Sequence, residues 1–188
     1  YSAAYEEVLA PILAADFDPE KRLSKAAARY LYKMMAIKDE YEVARLYSNG
    51  QFRQQIAQMF EGDVSLSLHL SPPLFAATDP ATGRPRKSAF GSLVWPALKL
   101  LNQLRGLRGT ALDIFGYTEE RKRERKALAD YRVLLAEIAT KLNRENYEAA
   151  LEMASLPEKI RGFGPVRHAH MIAAEDELEK LKSRFSSC

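Results

Sequence analysis

The sequence predicts a mainly α-helical domain with one β-hairpin inserted over about residues 64–90. Three observations lead there. Apolar residues recur at intervals of three and four through most of the chain, which is the period of a helix that buries one face. Over Val64, Leu66, Leu68 and Leu70 the period drops to two, with Ser65, Ser67 and His69 between, as in a half-buried strand. Finally, 188 residues at 47% hydrophobic composition are enough to close one core, so a single domain over residues 1–188 is expected.

The elements follow in order. Ala4, Val8, Leu9 and Ile12 outline a first helix. A second is predicted to open at Asp18-Pro19-Glu20, where aspartate caps and proline suits the first turn, and to run to about Met35. From Lys38, the apolar positions Tyr41, Val43, Ala44, Leu46 and Tyr47 continue a helix as far as Asn49-Gly50, a pair suited to a left-handed terminus. Gln51 to Phe60 forms a short helix that stops before Gly62. The strand at Val64 to Leu70 ends at Pro72-Pro73, Asp79-Pro80-Ala81-Thr82-Gly83 supplies turn chemistry, and a second strand is expected near Arg86 to Phe90. Helical spacing returns from Ser92 to Leu104, with Pro96 tolerated in the first turn. After a glycine-punctuated loop, Thr118-Glu119-Glu120 starts the longest helix, to about Leu142. Leu128, Tyr131, Leu135, Ile138 and Leu142 face inward there, and Arg121 to Lys126 are expected to be solvated. Asn143 is placed to cap a helix ending near Ala154. Ser155-Leu156-Pro157-Glu158 reads as a capping box for a short one, and Gly164-Pro165 opens the last, toward Phe185.

Composition limits the chemistry. The one cysteine, Cys188, cannot build an iron–sulfur cluster or a thiolate zinc site, and it fits a reducing, cytoplasmic setting. No apolar run reaches the ~18 residues of a membrane span, and the N-terminus lacks the pattern of a signal peptide. A chain that begins Tyr1-Ser2-Ala3 and ends Ser186-Ser187-Cys188 is expected to be a segment of a longer polypeptide. The net charge of +3 is small but unevenly spread. Between Asp79 and Asp113 there is no acid, while Arg84, Arg86, Lys87, Lys99, Arg105 and Arg108 fall inside the interval; Glu175, Asp176, Glu177 and Glu179 make the C-terminal end acidic.

Each motif with chemical potential has a structural reading beside it. His168 and His170, two apart on a helix, point to different faces and cannot chelate as a pair. His69 lies on the polar side of its strand with no partner fixed by spacing, so a small hydrolase built on it would require a serine or carboxylate partner brought near by the fold. Gly162-Phe163-Gly164, flanked by Arg161 and Arg167, has the make-up of a phosphate loop, but no strand precedes it and a helix–helix corner explains the glycines. Arg105-Gly106-Leu107-Arg108-Gly109-Thr110 carries the same ambiguity. Asp39, Glu42 and Arg45 stand one turn apart in succession, which predicts a charged network on one face rather than an acid–base pair. The basic run Arg121 to Lys126 is interrupted by Glu124, which weakens it as a nucleic-acid stripe.

Several strings in combination resemble one family. They are Tyr32 to Tyr47 (YKMMAIKDEYEVARLY), Phe60-Glu61-Gly62-Asp63, His69 to Leu74 (HLSPPL), Asp79 to Lys87 (DPATGRPRK), Leu107 to Asp113 (LRGTALD), Phe115 to Arg121 (FGYTEER) and Leu156 to Gly164 (LPEKIRGFG). Their order is similar to that of the C-terminal domain of fused indolepyruvate ferredoxin oxidoreductases, within the 2-oxoacid ferredoxin oxidoreductases, over about residues 23–170. Pro165 stands where the family pattern leads one to expect histidine. The resemblance implies a parent enzyme that oxidatively decarboxylates an arylpyruvate to an acyl-CoA and passes electrons to ferredoxin. It implies that thiamine diphosphate, magnesium and 4Fe–4S clusters are held by other parts of the polypeptide, with none in this segment and no catalytic residue here. The expected partners are the other domains of the parent, with coenzyme A or ferredoxin as anionic visitors; a homodimer is compatible, a membrane is not. The anion- or partner-binding residues proposed from charge are Arg84, Arg86, Lys87, Arg105, Arg108, Arg161 and Arg167. A free-standing basic helical module that binds nucleic acid is the competing reading.

Overall fold

A helix that carries one apolar stripe has to find another helix to cover it, and the chain does so twice. The computed structural model describes residues 2–37, 39–62, 65–70, 86, 88–162 and 164–187. It divides into unit 1, Tyr1–Ile37 with Arg123–Cys188, and unit 2, Lys38–Lys122. Among the described residues the architecture is mainly α-helical with one small antiparallel hairpin, as the sequence predicts.

Unit 1 contains α1 (Ser2–Ala15), α2 (Arg22–Met35), most of α6 (Glu119–Lys141), α7 (Tyr147–Ser155) and α8 (Gly164–Ser186). Helix α2 packs on α1 and α7, and α7 packs on α8. Their stripes meet in one continuous core: Ile12 of α1; Leu23, Ala27 and Leu31 of α2; Leu135 and Ile138 of α6; Ala150, Met153 and Ala154 of α7 are inaccessible to solvent, and Leu181 and Phe185 of α8 join them. Polar bonds fix the register of these helices. Tyr131 Oη donates to the Ala154 carbonyl at 2.7 Å, and Tyr5 Oη donates to the Ala28 carbonyl at 3.0 Å.

Helix α2 begins at Arg22, later than the Asp18-Pro19-Glu20 signal suggests. Lys21 takes a left-handed φ of 53° and its side chain makes no capping bond. Two aspartates cap it from farther back: Asp18 Oδ2 accepts from the Arg22 N–H at 3.3 Å, and buried Asp16 accepts hydrogen bonds from the Ser24 N–H at 2.8 Å and the Ser24 hydroxyl at 2.7 Å. Helix α7 likewise starts at Tyr147 rather than at Asn143, because Asn143 Oδ1 caps an intervening turn through the N–H groups of Glu145 and Asn146. Leu156-Pro157-Glu158 forms a 3-10 turn rather than a capped α-helix. Helix α8 equals α6 in length, each having 23 residues.

Unit 2 contains α3 (Glu40–Ser48), α4 (Gln51–Met59), the strands β1 (Leu68–Leu70) and β2 (Ser88–Phe90), and α5 (Val94–Gln103). Two 3-10 turns, Leu104–Leu107 and Ile114–Tyr117, follow. The strands pair antiparallel with His69 opposite Ala89. Leu68 is buried while Ser65, Ser67 and His69 are exposed, so the two-residue period marks the inner face as expected. Val64, Pro72-Pro73 and the turn at Asp79 to Gly83 lie outside the described residues. The core here is small: Leu68 meets Ala44 of α3 and Trp95 and Leu98 of α5, with Tyr47 and Phe52 packed around them. Phe52 stacks on Trp95 with ring centres 6.3 Å apart.

The expectation that Arg121 to Lys126 are all solvated is corrected at two positions. Glu124 is 9% exposed and lies 3.5 Å from Arg167 Nε. Arg121 is 14% exposed and reaches toward Glu40 at 3.9 Å. Long charged side chains on one helix face find partners that no local spacing announces.

Candidate functional site

Two polar nodes, one in each unit, gather Arg108, Arg161 and Arg167 of the residues singled out by charge. The first is in unit 2. Asp39 stands at the N-cap of α3 and accepts from the Glu42 N–H at 2.9 Å. The same Oδ1 accepts from Arg108 Nη2 at 2.6 Å, and the Arg108 guanidinium lies 5.9 Å from the centre of the Tyr41 ring. Tyr41 Oη donates to Asp113 Oδ1 at 3.3 Å. Asp113 is itself a turn-former: it accepts from the Gly109 N–H at 2.8 Å and from the Gly116 N–H at 3.0 Å, which folds residues 109–116 around one carboxylate. Phe115 meets Tyr41 edge to face with ring centres 5.5 Å apart. Arg108 is therefore committed to an acid from outside the acid-free interval. The network predicted along α3 is present, with Arg45 Nη2 on Glu42 at 2.7 Å. Beside it Glu40 is largely enclosed; burial pushes its carboxyl up, Arg121 opposes this, and Asp39 and Glu120 add to it.

The second node is in unit 1, where α2 passes the corner that leads into α8. Lys33 Nζ donates to the carbonyls of Pro157 at 2.6 Å and Glu158 at 3.2 Å. Arg161 Nε donates to that same Glu158 carbonyl at 3.1 Å, so two cations share one acceptor. The Glu158 carboxylate takes Tyr30 Oη at 2.9 Å and Arg161 Nη2 at 3.5 Å. Burial pushes the Lys33 ammonium down, and the nearby charges of Arg161 and Arg167 push it further. Gly162 turns the corner with φ of 86°, where a Cβ would meet Val166 Cγ1 at 3.0 Å. His170 Nδ1 holds the Arg161 carbonyl at 2.8 Å. The glycines thus serve a helix–helix corner, and the corner also assembles three cations against the carboxylates of Glu158 and Glu124.

The charge-selected residues separate accordingly. Arg161 and Arg167 come together with Lys33. Arg105 and Arg86 are exposed, while Arg108 is paired. Arg84 and Lys87 lie outside the described residues. Lys33, Tyr41 and Asp113 were not selected by sequence. Lys33 reaches carbonyls 124 and 125 positions away, a separation that no local pattern encodes. Among the described residues no group of three His, Cys, Asp or Glu side chains is placed to hold a metal, and the one cysteine cannot supply a cluster's thiolates. No helix among the described residues is long and apolar enough to cross a membrane.

The fold and its nodes define a class: a mainly helical chain with an inserted hairpin and a polar latch in each unit. A model of DUF6537, a family of unknown function, matches residues 1–180, and the chain belongs to that family. No curated protein and no solved structure matches it.

Proposed function

We propose that this chain is a non-catalytic accessory domain of a fused, cytoplasmic indolepyruvate ferredoxin oxidoreductase, and that its basic corner at Lys33, Arg161 and Arg167 receives an anionic group during the parent's cycle. In that reading the thiamine diphosphate, magnesium and iron–sulfur clusters reside elsewhere in the polypeptide. The anionic group belongs to coenzyme A or to ferredoxin. The observation that carries the role is the convergence of cations at the corner, where Lys33 Nζ and Arg161 Nε reach the same Glu158 carbonyl at 3.2 and 3.1 Å and Arg167 lies against Glu124 at 3.5 Å. Like charges held together favour an anion between or over them, and guanidinium groups bind phosphate or carboxylate through paired hydrogen bonds. All three make internal contacts, Lys33 with carbonyls, Arg167 with Glu124 and Arg161 with Glu158. The Arg161 side chain is 70% exposed and is the member that an incoming anion meets.

Two measurements test the reading. The complete open reading frame should carry thiamine-diphosphate and cysteine-cluster motifs; a frame without them ends the assignment to this parent. In the full-length enzyme, Arg161→Gln should raise the apparent KM for coenzyme A or ferredoxin about tenfold with kcat little changed, as loss of one charge-assisted contact predicts. Unchanged KM for both across ionic strengths leaves the corner a latch only. Salt-dependent binding of duplex DNA by the chain, weakened by the same substitution, favours the nucleic-acid module instead.

A further inference from the structure

Within unit 1, helices α6 and α8 flank a groove of about 530 Å³. Met34 of α2, Met153 of α7, Leu156, Tyr131 and Leu134 of α6, and Met171 of α8 line it. The apolar packing divides here: Ile160, Met171 and Ala174 make a small cluster that touches Ala127 of α6 but stays apart from the main core. On α6 the lining runs from Lys126 to Glu137 and on α8 from Met171 to Lys182, about 17 Å along each helix at 1.5 Å per residue. Spread over that length, the volume leaves roughly 30 Å² of cross-section, too narrow for a helix about 10–12 Å across and enough for one row of side chains. The flanking helices bond their own backbones and offer no strand edge, so an occupant has to satisfy its own N–H and C=O groups, as a helix lying along the mouth does. Three methionines in the lining adapt to the shape of such a row.

The rim selects the charge of that helix. Five carboxylates line the groove, Asp130 and Glu137 from α6 and Glu175, Asp176 and Glu179 from α8, against the two lysines Lys126 and Lys182. Asp130, Glu137 and Glu179 each pair with a lysine of their own helix. Glu175 and Asp176 are exposed, and neither forms an ion pair among the described residues. Lys126, bonded to Asp130, also feels Glu175 from across the groove, which puts both rims within reach of one occupant. The cations of the corner, Lys33, Arg161 and Arg167, do not line it. A second copy laid groove to groove would set acid against acid, and a nucleic acid or an anionic bilayer would be repelled. We propose that this groove receives a basic amphipathic helix of a partner protein. The partner's apolar residues, at i, i+4, i+7 and i+11, enter between α6 and α8, and its flanking Lys or Arg side chains meet Glu175, Asp176 and the acids of the opposite rim. This inference rests on unit 1 alone and stands independently of the parent assigned above.

The test uses the 188-residue chain and two synthetic helical peptides with leucine at i, i+4, i+7 and i+11, one flanked by Lys and one by Glu. In fluorescence anisotropy the Lys peptide should bind more tightly by on the order of tenfold at low salt, with the gap closing as salt rises. Replacing both unpaired acids, Glu175→Lys with Asp176→Lys, should abolish that preference. Val133 lines the groove and is 68% exposed, so Val133→Ser should weaken both peptides about threefold through lost apolar contact. Circular dichroism and melting should be unchanged in these variants, because all three positions are exposed. Equal binding of the two peptides, binding of neither, a preference that survives the acid replacements, or affinity indifferent to Val133→Ser would each overturn the proposal. Self-association in sedimentation that the acid replacements abolish would overturn it as well, by giving the groove to a second copy of the chain.

Discussion

Unit 1 and unit 2 draw on the same materials, helices with one buried stripe, and reach order by different routes. Unit 1 joins five helices in a continuous apolar core, with Leu23, Leu31, Leu135, Ile138 and Met153 fully inaccessible. Among the described residues, unit 2 has Ala44, Leu68, Trp95 and Leu98 at the centre of its cluster and supplements them with carboxylates that gather backbone N–H groups. A short helix such as α3, nine residues long, cannot bury enough apolar surface to hold itself, so Asp39 and Asp113 supply what burial does not. The lesson is that a small core leaves stability to directional bonds, and directional bonds are lost one at a time.

Truncation of matched leucines gives the largest test of this contrast. Leu135→Ala should cost about 4–5 kcal/mol, the upper part of the range for buried leucine, because Leu135 is surrounded on all sides by helices that cannot collapse into the void. Leu68→Ala, at the edge of a three-residue strand, should cost about 2–3 kcal/mol, since a thin core relaxes more readily. Denaturant unfolding of the two variants measures the difference, and equal losses would mean that unit 2 is packed as tightly as unit 1.

Next in size is the carboxylate at the centre of the turn. Asp113→Ala removes the acceptor of the Gly109 and Gly116 N–H groups and of Tyr41 Oη, and should cost about 2–3 kcal/mol if those donors are left without partners. Amide exchange over residues 107–117 should accelerate, while exchange in α2 and α7 stays as it was. A smaller effect is expected in unit 1 from Gly162→Ala, about 1–2 kcal/mol, because φ of 86° is strained for any Cβ and Val166 stands 3.0 Å away. A neutral thermal melt for that variant would show the corner yielding.

These residues also mark where reading the sequence succeeds and fails. Period and punctuation announce the helices and the hairpin: Leu66, Leu68 and Leu70 point inward by alternation, and Tyr131, Leu135 and Ile138 by helical spacing. Contacts that depend on distant parts of the chain are silent. Arg108 sits in an interval without acids, yet it meets Asp39, 69 positions earlier. Asp18 caps α2 through the Arg22 N–H as its position suggests, but the buried Asp16, which no cap signal marks, bonds the Ser24 N–H as well. Glu124 lies in a run that reads as solvated and is buried against Arg167. Local spacing specifies which face of a helix is apolar; it does not specify which opposite charge arrives from elsewhere.

The smallest expected effect is also the one whose sign separates the units. Burial alone would raise the Asp16 carboxyl in unit 1, but bonds from the Ser24 hydroxyl and N–H, the Asp18 N–H and Tyr147 Oη outweigh it and hold the carboxyl below its usual range. Burial, with the carboxylates of Asp18 and Asp16 adding to it, pushes the Tyr147 phenol up to about 12. A carboxyl lowered in the folded state contributes stability above its unfolded value, and that contribution disappears as pH falls through the folded one. Glu40 in unit 2 is the reverse: burial raises it, its buried Oε2 has no hydrogen bond, and Arg121 does not fully compensate. Its contribution is complete below the unfolded carboxyl value and is lost as pH rises through the raised one. Asp16→Asn should therefore lower the melting temperature at neutral pH and lose less on acidification than the parent chain. Glu40→Gln should raise the melting temperature at neutral pH and have little effect in acid, because glutamine keeps the shape without the charge. Melting curves of both variants across the range from acid to neutral decide it. If Glu40→Gln melts lower at neutral pH, the attraction of Arg121 exceeds the cost of burying the carboxylate, and unit 2 depends on that ion pair as well as on its turn-forming aspartates.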